Sequence, residues 1–297
     1  MGPSSSLGPS QYHRIKQWMD EGAAGKFKVA SFCFPISNTT TKMLARTRFI
    51  PSFSLSPHNP PIFRRPTSLT NRRNNQTPII MSAQDQIVEH VVLFKLKPDV
   101  DSTKVAAMVS GLNALTSLNL TLHLSAGQLL RSRSSSLTFT HMLHSRYRSK
   151  DHLQEYAAHP DHVRVVTENI KPIIDDIMAV DWISTGASVS PKPGSAMRVT
   201  FLKLKEDLGE NEKSRVLEVI GGIKDEFPAI EQLSVGENFS HDRAKGYTIA
   251  SVAVLADLEA LDSNAELVKL QKEKVKDSIE SVVVVDYVIP PPQAANL

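Results

Sequence analysis

The chain has 297 residues, is 41% apolar, carries a net charge of +3 and holds one cysteine, Cys33. A single thiol excludes an internal disulfide and a cysteine-based metal cluster, and no apolar run approaches the roughly 18 residues of a membrane span. The charge is uneven: residues 22–84 hold nine Lys or Arg and no acid, and residues 1–21 sum to zero, so the part from Asp85 onward stands at −6 against the total of +3. A nucleic-acid partner needs a basic face, and the only basic stretch is the leader, so no nucleic-acid partner is expected.

The leader, residues 1–84, is rich in Ser, Thr, Pro, Asn and Arg from Gly22 on and lacks apolar periodicity, so it is expected to be disordered. Acid-poor, Arg- and Ser-rich N-termini are the signature of organellar transit segments. Met43 opens its most transit-like part, and Met81 opens the folded part. At the other end, Ala295-Asn296-Leu297 loosely matches a peroxisomal tripeptide but lacks its basic middle residue. The two addresses, plastid and peroxisome, compete.

Folded elements follow in order. Ile87–Lys97 alternates with period two, with Val88, His90, Val92, Phe94 and Leu96 on one face, and Pro98 ends it, which predicts a strand. Val105, Met108, Val109, Leu112 and Leu115 recur at helical spacing behind a cap at Asp101 or Ser102. Strands are predicted over Leu120–Leu130 and Leu137–Tyr147, joined by a polar turn at 131–136. A helical region covers Ser149–Ile177, and Met178–Ser184 closes the unit as a strand. The Ser/Pro/Gly-rich stretch from Ser184 to Ala196 reads as a linker, placed at 186–195.

The pattern then restarts. Arg198–Lys205 matches His90–Lys97; Leu233-Ser-Val-Gly236 matches Leu124-Ser-Ala-Gly127; Val285-Asp-Tyr287 matches Val180-Asp-Trp182. Ordered matches with little drift indicate an internal repeat. The fold class expected is α+β: two ferredoxin-like β-α-β-β-α-β units, 87–185 and 196–289. Both faces of the first strand are apolar, so the two sheets should pack face to face as an intrachain dimeric α/β barrel, a pseudo-dimer, with further homo-oligomerisation open.

The run Glu155-Tyr-Ala-Ala-His-Pro-Asp-His-Val163, the entry strand Glu89–Lys95 and the exit Val180-Asp-Trp182 resemble the plant stress-response A/B barrel family, in its tandem-repeat form. The stretch Phe139–Lys150 looks like the same family. The resemblance covers residues 87–289 and is degenerate in the second copy. It implies a stress-response protein that binds a small apolar ligand or stabilises other components, with no required cofactor. The first copy also resembles olivetolic acid cyclase, whose catalytic Tyr and His correspond to Tyr156 and His162 and whose strand histidine corresponds to His90. That resemblance implies a cofactor-independent cyclase or lyase chemistry on a polyketone-like substrate: His162 takes a proton, Tyr156 donates to the enolate oxygen, and His159 supports them. A structural, heat-stable oligomer is the third reading, in which the same residues cap a helix.

A His₃ metal site from His90, His159 and His162 lacks recognised ligand spacing. Some family members hold magnesium on main-chain carbonyls where the first helix ends. The matching positions are Leu115, Leu118, Asn119 and Thr121, hard oxygens at the negative end of a helix but with no acidic support. His141, His144 and His152 read as surface or locally satisfied histidines. In the second copy His90 becomes Arg198, Tyr156 becomes Leu261, His159 becomes Asn264 and His162 becomes Leu267, which leaves a structural partner with no acid–base pair.

Overall fold

The computed structural model describes residues 86–134, 137–185, 190–263, 269 and 273–291. The leader, the Ala295–Leu297 address, Asn264 and Leu267 lie outside the described residues, as does most of the second copy's second helix.

The first unit runs β1 (Gln86–Leu96), α1 (Ser102–Ala114), β2 (His123–Gln128), β3 (Arg131–Arg133), β4 (His141–Tyr147), α2 (Lys150–Ala158), α3 (Pro160–Val165) and β5 (Ile174–Thr185). The second runs β6 (Ala196–Leu204), α4 (Glu210–Gly221), α5 (Ile223–Glu226), β7 (Ile230–Glu237), β8 (Ile249–Leu255), α6 (Leu258–Ser263) and β9 (Ile279–Val288). They form an antiparallel four-stranded sheet, β2-β4-β1-β5, and a five-stranded sheet, β3-β9-β6-β8-β7. Among the described residues, no helix is long and apolar enough to cross a membrane.

Period-two alternation sorts each strand between two cores. Val91, Leu93, Met142, Met178, Val180 and Trp182 face the other sheet and pack with Met197, Val199, Phe201, Val252, Val283, Val285 and Tyr287. Val88, Val92, Phe94, Leu143 and Ala179 face the first unit's helices and pack with Met108, Leu112, Leu153 and Val165. The expected face-to-face packing is therefore present, and both faces of β1 are buried.

The repeated Ser and Gly mark the seam. The Trp182 indole N–H donates to Ser234 Oγ at 2.9 Å, and Tyr287 Oη meets Ser125 Oγ at 2.7 Å. Each aromatic from a closing strand lies over the glycine of the opposite unit. A Cβ at Gly236 would sit 2.6 Å from Ile183 O and 2.7 Å from Trp182 Cδ1, and one at Gly127 would sit 3.2 Å from Tyr287 Oη. The Leu-Ser-x-Gly repeat is thus a socket for the other unit's aromatic ring.

Two sequence expectations fail. The polar 131–136 segment is not simply a turn: Arg131–Arg133 is a short strand that crosses to the second sheet and pairs with β9, Arg131 opposite Asp286. Its side chains are polar because they meet that buried carboxylate, while its backbone completes a sheet edge. The helical region also ends early. It breaks at His159, loosens into a π-turn over Val166–Ile170, and gives way to β5 at Ile174 rather than Met178. Ile174 and Ile177 satisfy helical spacing, yet their β-branched side chains suit a strand equally well.

Candidate functional site

On the helix-facing side of the first sheet, register places His90 between Ser145 on β4 and Asp181 on β5. Tyr147 projects from the same face two residues along β4. Above it, Ser149 caps α2 by accepting from His152 N, and α2 carries Tyr156. His159 ends that helix and caps α3, its Nδ1 accepting from Asp161 N at 3.2 Å, with Pro160 in the first turn. The break turns the chain so that His162 comes back over Tyr156.

The result is a line of four rings. The His90 and Tyr147 centroids are 6.3 Å apart, Tyr147 and Tyr156 5.3 Å, and Tyr156 and His162 4.6 Å. Tyr156 and His162 are buried; His90 keeps 13% side-chain exposure. His159 stays a third exposed and acts as a cap. So Tyr156 and His162 come together as the sequence suggests, His90 joins them through Tyr147, and His159 does not enter the line of rings.

Protonation follows from the surroundings. Burial is the largest influence on His162 and lowers it to about 4; the Ala157 carbonyl opposes this, and the charges of His90, Arg243 and His159 add to it. The ring is neutral near pH 7. A carbonyl can only accept, so His162 Nδ1–H donates to Ala157 O at 3.0 Å and Nε2 keeps its lone pair. Burial pushes the Tyr156 phenol well above its ordinary value, so it stays a donor. Its oxygen is buried and has no hydrogen-bond partner. The nearest polar neighbour is the Tyr147 hydroxyl, which pairs with Ser145 Oγ at 3.0 Å and whose hydrogen-bonding influence on Tyr156 opposes the effect of burial.

His90 Nδ1–H donates to Asp181 Oδ1. Burial, the largest influence on Asp181, opposes ionisation. The neighbouring His90, then Ser240 and Arg243, outweigh it and hold the carboxyl below its usual range. Sequence reasoning misses Asp181, Tyr147 and Ser145. A signal exists for Asp181: an acid repeated between apolar residues in both closing strands.

The second unit shows what replaces the site. Arg198 takes the place of His90 and donates to Asp286 in a two-pronged pair, Nε at 2.8 Å and Nη2 at 3.1 Å. Leu255 stands opposite Ala196 where Tyr147 stands opposite Val88, and Leu261, in the place of Tyr156, packs against both. The ring line is gone and a fixed salt bridge remains.

A separate polar group lies between the sheets. Glu89 accepts from His144 Nε2 at 2.6 Å and from Arg146 Nε at 3.0 Å, and Arg146 Nη1 reaches Gln232 Oε1 at 3.0 Å. His144 is fully buried and His141 nearly so, and both are satisfied locally rather than lying on the surface, His144 by Glu89 and His141 by Thr140 Oγ1 at 2.9 Å.

For magnesium, the turn Leu115–Leu118 ends in a left-handed Asn119 at φ 55°. The carbonyls of Leu115, Leu118, Asn119 and Thr121 are hard donors of the right kind but carry no charge. Among the described residues no group of three or more His, Cys, Asp or Glu is placed to hold a metal ion.

Comparison with known proteins shows the family. The profile of the stress responsive A/B barrel domain matches twice, at residues 88–184 and 197–289. The chain belongs to the stress-responsive A/B barrel family. It is 52% identical over 227 residues to a stress-response A/B barrel domain-containing protein of Arabidopsis thaliana, covering 75% of this chain and 86% of that protein. It is 46% identical over 208 residues to a second A. thaliana protein of the same description, covering 69% of this chain and 97% of that one. A dimeric protein of unknown function with a ferredoxin-like fold from Bacteroides fragilis aligns over 32% of this chain and 93% of its own, at 26% identity and TM-score 0.28. The two profile matches establish tandem A/B barrel domains, in the two halves that form the face-to-face sheets.

Proposed function

We propose that the first A/B barrel domain binds a small, mostly apolar molecule that presents a carbonyl oxygen to Tyr156. The observation that carries this reading is the buried Tyr156 hydroxyl, which has no hydrogen-bond partner in good geometry, its neighbour Tyr147 being paired with Ser145. Leaving such a group unpaired costs about 1–3 kcal/mol, an expense a purely structural tyrosine has no reason to keep. The surrounding Val88, Leu153 and Val165 side chains supply apolar contact, and the second domain has lost the rings altogether. Native mass spectrometry of the full chain after gentle purification tests it. A small molecule retained by the wild type and lost from Tyr156→Phe supports the reading; no retention by either, together with no saturation transfer from a medium-chain methyl ketone, sinks it.

A second reading is favoured by the state of the histidines. A neutral His162 with a free Nε2 lone pair beside a phenol donor is the equipment of cofactor-independent proton transfer, as in a cyclase or lyase. His162 would take the α-proton while Tyr156 donates to the oxygen that becomes the enolate. The His90–Asp181 pair would steady the polar end of the ring line. Deuterium exchange into cyclohexanone, followed by NMR, separates this from binding alone. Exchange that vanishes in His162→Gln supports proton transfer; a rate equal to that of buffer leaves binding as the function. Magnesium at the Leu115–Thr121 turn belongs to a different part of the domain and has no role in either reading. The plastid and peroxisome addresses are proposals for fluorescent fusions with either terminus masked.

A further inference from the structure

The walls of the first domain's site are not all supplied by the first domain. After β7, the segment Asn238–Gly246 of the second domain leaves its sheet and lies along β5. Phe239 N donates to Asp181 O at 2.9 Å, Asp181 N to Asn238 Oδ1 at 3.1 Å, and Ala179 N to Arg243 O at 3.1 Å. Lys245 Nζ pairs with Asp176 at 2.7 Å. The Phe239 ring packs into the first domain's helix-side core, with Lys150 Nζ 3.9 Å above its centroid. These contacts hold the very strand residues that carry Asp181, and Ser240 and Arg243 lie within the tethered span.

The pseudo-two-fold makes the arrangement reciprocal. Leu130 N donates to Asp286 O at 2.9 Å, and Arg131 Nε and Arg133 Nη2 approach Asp286 Oδ2 at 3.3 and 3.6 Å. Each domain thus sends the segment after its second-strand position onto the aspartate of the other's closing strand, with arginine aboard. On the second side the imported arginines join Arg198 in an ion-pair lock. On the first side the imported residues meet His90–Asp181.

We propose that the site of the first domain is composite: the Asn238–Gly246 segment of the second domain forms its β5-side wall, and Arg243 is a positioning residue for His162 and for the His90–Asp181 pair. The inference rests on the acid–base reading of that site. Arg243 is fixed beside β5 through its carbonyl, which accepts from Ala179 N, and Ser240 follows Phe239, whose N–H is bonded to Asp181 O. The Tyr156 ring packs on His162, and the charges of His90, His159 and Arg243 act on His162. His90, Tyr147, Ser240 and Arg243 act on or with Asp181. A fixed positive charge at Arg243 disfavours a second positive charge on His162 and favours the anion at Asp181. The degenerate domain would then be required for the chemistry of the intact one.

NMR pH titration of the full chain, reading His162 ring and Asp181 carboxylate resonances, tests this. In Arg243→Gln the His162 midpoint should rise by roughly half a pH unit or more. Arg243→Lys, which keeps the charge, should restore most of that change. Ser240→Ala should raise the Asp181 midpoint on its own, an independent arm should Arg243→Gln fold poorly. Unmoved midpoints in folded Arg243→Gln and Ser240→Ala overturn the composite site. The cyclohexanone assay keeps the two claims apart. Moved midpoints with no wild-type exchange support the wall and sink proton transfer; wild-type exchange with unmoved midpoints does the reverse.

Discussion

Replacing Tyr156 with Phe should stabilise this protein while removing its function. The phenol oxygen is buried, lacks a hydrogen-bond partner, and sits within a tight ring stack. Phe keeps the ring and its packing against Tyr147 and His162, so no cavity opens. What disappears is a desolvated donor with no partner in good geometry, Tyr147 being turned to Ser145, worth about 1–3 kcal/mol if the site were wholly dry and rigid. Partial relaxation in the folded protein brings the expected gain to about 1 kcal/mol, which for domains of this total size raises Tm by about 2–4 °C. Differential scanning calorimetry of ligand-free wild type and Tyr156→Phe reads it directly. An ordinary buried tyrosine behaves in the opposite way, because its hydroxyl is bonded and its loss destabilises. A Tm lowered by more than about 2 °C would refute the reasoning, since it would mean that the hydroxyl is paired in solution. Gain of stability with loss of ligand retention is the signature of a group kept for function rather than for folding.

Other consequences concern acid, the second site and the seam. His162 is held at about 4 and His123 at about 3, both mainly by burial. Unfolding frees them to bind protons near pH 6.5, so stability present above that pH should fall as pH drops from about 6.5 toward 3, and His162→Gln should flatten the slope of a urea-unfolding series. Glu89 adds a lower window. Burial opposes its ionisation most strongly, but His144 and Arg146 overcome this and hold it at about 2, so its stabilising contribution is complete above about pH 4.5 and disappears toward pH 2. Asp286→Asn should cost about 3–5 kcal/mol in chemical denaturation, because it strands the buried Arg198 guanidinium; a loss under about 1 kcal/mol would contradict the lock. Gly236→Ala drives a Cβ into Ile183 O and Trp182 and should cost more than about 2 kcal/mol, whereas Gly127→Ala, with a tight approach of 3.2 Å to the Tyr287 hydroxyl at the far end of a side chain, should cost less.

Much of this fold is written in local periodicity. Val88, Val92 and Phe94 against Val91 and Leu93 reveal a strand buried on both faces, and the repeated Leu-Ser-x-Gly reveals a second copy, because side-chain alternation and internal repetition are properties of the chain itself. The crossing of Arg131–Arg133 to the other sheet is not legible, because its reason, the buried Asp286, lies 155 positions away. The site divides in the same way. Tyr156, His159 and His162 sit within one short motif. Asp181, Tyr147 and Ser145 become neighbours of His90 only through strand register, and Ser240 and Arg243 only through the pseudo-two-fold. Pattern alone misplaces the boundary of β5 because Ile173, Ile174 and Ile177 fit both a helix stripe and a strand, and tertiary pairing with β1 decides between them.

The proposed function centres on one buried donor, the Tyr156 hydroxyl, meeting one ligand oxygen. The most direct measurement compares the affinity of the full chain for a medium-chain methyl ketone and for the matching alkane, in the wild type and in Tyr156→Phe. One hydrogen bond worth about 1.4 kcal/mol predicts that the wild type prefers the ketone by about tenfold and that the preference disappears in the variant. Equal affinities in the wild type, or the same preference in both proteins, would contradict it.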